Sequence, residues 1–127
     1  MEAFDLLGEK EPRKFIDKAG RLYPKLNVIL TLGAGGSILR TESEVKFCPA
    51  FQVEVADTTA AGDTYTGFFI ALLLSGDERA MEIASAAAGI AASKNGAASS
   101  IPTLKYVEEI LPTLSPYPAK LPASHAL

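Results

Sequence analysis

The chain predicts an α/β sandwich, and three observations carry that expectation. Asn27 to Leu32 (Asn-Val-Ile-Leu-Thr-Leu) is a near-continuous apolar run rich in β-formers, as in a central strand buried on both faces of a parallel sheet. A glycine-rich break, Gly33-Ala34-Gly35-Gly36, follows it and leads into a small antiparallel pair. Two apolar stretches of helical character then occupy most of residues 61–95.

The elements read in order as follows. Glu2 to Leu7 predicts a short helix stopped by Gly8. A second helix starts near Glu11-Pro12, where proline at an early helical position loses no hydrogen bond. Its apolar residues Phe15, Ile16, Ala19 and Leu22 follow helical spacing, and Lys14, Lys18, Arg21 and Lys25 form a solvated face. After the strand and its glycine break, Ser37 to Arg40 and Glu44 to Cys48 predict the antiparallel pair. Phe51 to Val55 alternates as a half-exposed strand would. A helix is expected from Ala61 to Leu74, ending at Ser75-Gly76. Asp77 is placed to cap the next helix, whose many alanines permit close packing and which ends near Asn95-Gly96. A loop over 97–102 precedes a last helix from Thr103 to Leu111. Pro112, Pro116, Pro118 and Pro122 mark an extended or disordered tail, so the chain divides into a folded portion, 1–111, and a tail, 112–127.

Composition narrows the function classes. The 127 residues suffice for one core, and 48% hydrophobic with 21% charged residues is ordinary globular composition. A net charge of −3 with scattered basic residues offers no footprint for nucleic acid. Cys48 is the single cysteine, so neither an internal disulfide nor a cysteine metal cluster can form, and a cytoplasmic setting is expected. Cys48 reads as core rather than nucleophile, and His125 in the proline-flanked tail reads as non-catalytic. The start, Met-Glu-Ala-Phe-Asp, lacks the basic and apolar regions of a signal peptide. The longest apolar run, Phe68 to Leu74, is far short of the roughly 20 residues of a membrane span, so no membrane association is expected.

The chemistry concentrates at residues 57–69, Asp-Thr-Thr-Ala-Ala-Gly-Asp-Thr-Tyr-Thr-Gly-Phe-Phe. A small-residue turn opening a helix presents unpaired backbone N–H groups that hold a phosphate-like anion. Asp63, beside that cradle, is placed to take a proton from a hydroxyl attacking the phosphate. The plainer reading is that Asp63 complements the helix dipole. The Thr31 to Gly36 turn lacks the Gly-x-Gly-x-x-Gly spacing of dinucleotide folds and is by itself a tight turn between strands.

Taken together, Asp57 to Gly67 resembles the second signature of the PfkB carbohydrate kinases, the ribokinase-like family, written Asp-Thr-x-Gly/Ala-Ala-Gly-Asp-x-Phe. Ala60 is the form typical of the ribokinase branch, and Tyr65 replaces phenylalanine. Thr31-x-Gly33-x-x-Gly36 resembles the family's nucleotide-contacting turn, and Ala91 to Pro102 resembles the end of its nucleotide-site helix with the following loop. The resemblance implies the C-terminal half of a ribokinase-like three-layer α/β/α sandwich, and a kinase that transfers phosphate from ATP to a sugar.

Residue by residue, the resemblance implies that Asp63 is the catalytic base. The cradle around Ala60, Ala61 and Gly62, with the N–H groups of Ala61, Gly62 and Asp63, stabilises the transferred group. Thr31, Gly33 and Gly36 line the nucleotide site, and Ser85 falls beside the adenine where relatives place Asn or His. It implies a potassium ion held by the Asp57 side chain, the carbonyls of Thr59, Ala91, Lys94 and Gly96, and the Ser100 hydroxyl, all hard oxygen donors. Without the resemblance, Gly96 is an ordinary helix cap and Asp57 a turn former. Glu2 aligns with the glutamate of the family's Asn-x-x-Glu magnesium motif, and is otherwise a solvated carboxylate at a helix start. ATP, Mg2+ and K+ are the implied cofactors, and ATP with a sugar the substrates. The family's sugar-binding half has no counterpart here, so a missing N-terminal half, or self-association through the surface it leaves, is expected. A non-catalytic nucleotide-binding or assembly module is the alternative from another class, and a dinucleotide-dependent oxidoreductase a third.

Overall fold

The computed structural model describes residues 11–94 and 101–118. The expected first helix, Glu2, Gly96, Ser100 and His125 lie outside the described residues. Helix α1 spans Pro12–Leu22 with proline in its first turn, and it buries Phe15, Ile16 and Ala19. These positions share one helix face, as their spacing requires. Leu22 stands 53% exposed, one step past the stripe that meets the sheet.

Strands β1 (Val28–Thr31), β2 (Ser37–Arg40) and β3 (Val45–Cys48) form an antiparallel sheet in that order. Leu30 pairs with Ile38, and Ile38 with Phe47, and this row packs on Phe15 and Ile16 of α1. Ile29 and Leu39, opposite each other, belong to the other face and pack on two helices, α2 (Ala61–Leu74) and α3 (Ala80–Ala92). Three layers result, helix over sheet over helices, because each strand alternates its apolar side chains between two covered faces. The guanidinium of Arg40 donates to the carbonyls of Tyr23, Pro24 and Leu26 at 3.4, 3.3 and 3.1 Å, fastening the exit of α1 to β2.

The main core lies between α2 and α3. Phe69 and Leu72 meet Ile83, Ala84, Ala87 and Ile90 there, closed at one end by Val107 of α4 (Leu104–Ile110). Thr103 caps α4 by accepting the Tyr106 N–H at 3.2 Å. The final helix and the end of α2 at Ser75-Gly76 follow their sequence signals, with Gly76 at φ 77.

Three expectations are corrected. The strand at 28–31 is not central in a parallel sheet: β1 pairs only with β2, antiparallel, among the described residues. Its apolar run arises because helices cover both faces, which periodicity cannot distinguish from a central position. Phe51 to Val55 forms no strand. Its alternation persists, with Phe51 and Val53 half-buried, but the backbone bonds to the chain's last described segment. Gln52 N–H donates to the Ser115 carbonyl (2.8 Å), Tyr117 N–H to that of Ala50 (2.9 Å), and Phe51 bridges Pro116. Finally, Asp77 lies two residues before the N-cap of α3, which is Arg79. Its carboxylate accepts the Arg79 N–H at 2.8 Å and is held below the usual carboxylate range by the Arg79 side chain.

Candidate active site

A cleft of about 320 Å3 opens where the turn after β1, the head of α2 and the flank of α3 converge. Thr31, Gly33 and Gly36 line it from the turn, Thr58, Ala61 and Gly62 from the head of α2, and Ser85, Ala88 and Gly89 from α3. Phe51, Val53 and Tyr117 form an apolar wall.

The turn is a single 3-10 element, Gly33–Gly35, closed by Gly36 N–H donating to the Gly33 carbonyl at 3.1 Å. Gly33 has φ 58 and Gly36 φ 92, conformations that side chains resist. A Cβ at Gly36 would also lie 2.5 Å from the Cys48 carbonyl oxygen. The backbone therefore passes close to β3 and leaves its other side open to the cleft.

The head of α2 is uncapped. Ala60 holds the N-cap position with no side-chain hydrogen bond. Ala61 N–H donates to the Thr58 carbonyl at 3.2 Å, and Thr64 N–H to that of Ala60 at 2.9 Å. The N–H groups of Gly62 and Asp63 have no partner among the described residues. Of the three N–H groups expected in the cradle, that of Ala61 is therefore engaged in a turn. A helix head with free donors favours an anion through both hydrogen bonding and the helix dipole. The Asp63 side chain is exposed in the first turn of α2, is not among the residues that line the cleft, and makes no hydrogen bond or ion pair among the described residues.

Asp57 forms a turn of its own. Its carboxylate accepts the Thr59 N–H at 2.9 Å and the Thr59 hydroxyl. The Ala92 carbonyl accepts the N–H groups of Ala56 (2.8 Å) and Asp57 (3.0 Å), so Asp57 sits against the C-terminus of α3. Ala91 is buried, and its carbonyl accepts the Lys94 N–H at 3.3 Å. The Lys94 ammonium lies 5.0 Å from the centre of the Tyr106 ring. Asp57, Thr59, Ala91 and Lys94 thus belong to one region, and Gly96 and Ser100 lie outside the described residues.

The floor of the cleft carries a polar chain that sequence reasoning missed. The Tyr65 hydroxyl donates to the Ser37 hydroxyl at 2.7 Å, linking α2 to the residue after the glycine turn. Burial raises the Tyr65 phenol to about 12, against a smaller downward pull from Ser37. Ser85, also buried, lies 3.6 Å from the Cys48 sulfur, and burial pushes that thiol up. A tyrosine at an apolar helix position was the one sign of this link, since a buried hydroxyl needs a partner.

Residues 2–104 match the pfkB family of carbohydrate kinases. The chain belongs to the pfkB carbohydrate kinase family. Within that family it is 44% identical over 87 residues to ribokinase of Haemophilus influenzae, covering 66% of this chain and 28% of the relative. It is 35% identical over 114 residues to 2-dehydro-3-deoxygluconokinase of Thermoproteus tenax, covering 86% and 34%. The structure of Arabidopsis thaliana ribokinase complexed with ribose and ATP aligns with a TM-score of 0.76 at 30% identity, over 87% of this chain and 38% of that one. The pfkB chain described here therefore spans about a third of the length of these relatives, and its α/β fold is a part of the ribokinase-like fold.

Proposed function

We propose that this chain is the ATP-binding, base-carrying C-terminal portion of a ribokinase-like sugar kinase. One observation carries the reading: the uncapped head of α2, with free N–H groups at Gly62 and Asp63, opens on the same cleft as the positive-φ glycine turn. The apolar wall of Phe51 and Val53 suits a purine, and the glycine turn admits phosphates near the backbone. The ribose and ATP bound by the Arabidopsis relative support this pair of substrates.

In this reading the amides of Gly62 and Asp63 hold the transferred phosphoryl group, where they stabilise charge most as it develops. Asp63 accepts the proton of the attacking sugar hydroxyl. Thr31, Gly33 and Gly36 position the nucleotide, and Ser85 forms the floor beneath it.

The donor chemistry of the second region fits a hard monovalent cation. Asp57 is drawn to the C-terminus of α3 by the Ala92 carbonyl, where helix-end carbonyls point outward. Asp57, Thr59, Ala91, Lys94, Gly96 and Ser100 would hold potassium, which supplies positive charge beside the phosphates. No cluster of three His, Cys, Asp or Glu side chains occurs among the described residues. By the family resemblance, Glu2 would help hold magnesium at the nucleotide phosphates in this proposal. The two relatives act on different sugars by name, so the sugar is proposed only as ribose or a related acceptor.

Calorimetric titration of the chain with a non-hydrolysable ATP analogue tests the cleft, and saturable binding is expected. Fusing residues 1–127 to the amino-terminal part of Haemophilus influenzae ribokinase tests the base. Asp63→Ala in that fusion is expected to lower the rate of sugar phosphorylation by about 10²–10⁴-fold, the usual contribution of a positioned base. Unchanged turnover would remove Asp63 from the mechanism. Nucleotide binding without turnover in the intact fusion would favour the alternative, a nucleotide-binding or assembly module.

A further inference from the structure

The segment that follows α4 comes back to the cleft. One turn of 3-10 helix, Leu111–Thr113, succeeds α4, and Leu114 beyond it is extended at φ −86 and ψ 145. Leu111 and Leu114 pack against the core between α2 and α3, which anchors the start of the segment. Pro116 and Pro118 then keep the chain out of any helix, and a residue that precedes proline favours extended backbone.

From that anchor, residues 115–117 lie antiparallel to 50–52. The Gln52 and Tyr117 N–H groups make the two backbone bonds that flank the Phe51–Pro116 bridge. This register asks no N–H of Pro116, which has none to give. Its carbonyl accepts the Gln52 side-chain amide at 3.1 Å. The wall beneath is held in turn by α3. A Cβ at Gly89 would lie 3.2 Å from Cγ1 of Val53, so the 51–53 segment passes close to that helix. The tail is thus bonded to the wall, and the wall is packed on α3.

Tyr117 lines the main cleft and also a neighbouring cavity of about 280 Å3 that includes Gly35, Phe47 and Pro49. Ala34, Ala50 and Tyr117 belong to both, so the tyrosine stands as a partition between them. Its backbone N–H already fastens the segment to Ala50, which leaves the side chain free for another task. The residue is 37% exposed, so aromatic surface remains open. An aromatic ring beside an apolar wall recognises a flat base by stacking. The family match ends at residue 104, and Tyr117 lies beyond it.

We propose that Tyr117 is a base-recognition residue of the nucleotide cleft: residues 115–117 strap across the apolar wall, and the Tyr117 ring stacks on the purine of the bound nucleotide. The inference rests on the reading of the cleft as an ATP site. The donors of the cleft, the α2 head and the glycine turn, take the phosphates, and the apolar wall of Phe51 and Val53 leaves the base to be gripped by its faces.

Titration calorimetry of the 127-residue chain with ADP, paired with proton NMR of the complex, tests the assignment. Tyr117→Ala is expected to weaken ADP binding about tenfold, the scale of one base–aromatic stack. Tyr117→Phe keeps the ring and is expected to leave the affinity within about twofold. Nuclear Overhauser contacts are expected between the adenine protons and the Tyr117 ring of the unaltered chain, a signature that a merely structural tyrosine would not give. Circular dichroism checks that both variants fold. Equal ADP affinity in Tyr117→Ala and the unaltered chain would overturn the proposal. So would a loss shared by Tyr117→Phe, or an ADP complex without adenine–Tyr117 contacts. Each of those results leaves the ATP site standing. Failure of the unaltered chain to bind ADP defeats the nucleotide-site reading, and the role of Tyr117 with it.

Discussion

Helices α2 and α3 are similar in composition and opposite in their surroundings. Both are predominantly apolar, and they pack against each other along the centre of the molecule. Helix α3 is built from alanines and isoleucines, and nine of its thirteen residues are buried. Helix α2 carries larger side chains, yet four of its fourteen residues are buried. The small residues of α3 let sheet, α2 and α4 approach from several directions, so its packing is complete within this chain. The bulky outer residues of α2 meet water. The difference separates a helix enclosed in the core from one that, among the described residues, keeps an apolar face in water.

Substitutions along the two helices sharpen that contrast. Ile83 of α3 has no exposed surface, and Ile83→Ala is expected to cost about 2–5 kcal/mol in urea unfolding through lost contacts and a residual cavity. A loss below about 1 kcal/mol would mean that α3 is loosely packed. Between the helices and the sheet, Gly36→Ala places a Cβ 2.5 Å from the Cys48 carbonyl at φ 92. It is expected to cost about 1–3 kcal/mol of strain and to weaken nucleotide binding, read by melting with and without ATP analogue.

Tyr65→Phe removes the bond to Ser37 and is expected to destabilise the fold by about 1 kcal/mol. Its pH signature is more specific. The folded phenol holds its proton to about pH 12, against 10.0 for an ordinary tyrosine, so between these values the fold binds more protons than the unfolded chain. Stability from this group is therefore full below pH 10 and falls as pH rises towards 12. The variant is expected to lose that component of the alkaline decline, measured by denaturant midpoints across this range. At the outer face of α2, Leu74→Ala is expected to change stability by no more than about 0.5 kcal/mol in the chain alone. A large loss would show that Leu74 is already covered in solution.

Much of this arrangement was legible in the residues. The limits of α2 follow from Ala60-Ala61-Gly62 at one end and Ser75-Gly76 at the other, and the glycine turn and antiparallel pair stand where small residues and β-formers put them. Local chemistry sets these features: glycine adopts φ values that other residues resist, and apolar periodicity selects helix or strand. The Asp57–Gly67 pattern likewise carried the family resemblance that the matches to pfkB kinases support.

Other features needed distant parts of the chain. Phe51 to Val55 alternates like a strand, but its partner is the segment at 115–117, some sixty residues away, and no local signal names it. Asp77 looks like a cap, and the cap position fell two residues later because the turn at 77–80 takes its carboxylate first.

By itself the sequence determined the types of the main elements, the glycine turn and the small-residue mouth of α2, because each depends on dihedral preference and spacing within a few residues. Only the tertiary structure decided that Tyr65 reaches Ser37 and, among the described residues, that β1 has an open edge and one face of α2 is bare. Those facts concern which surfaces meet across the chain, and burial is a property of surroundings that no single segment contains.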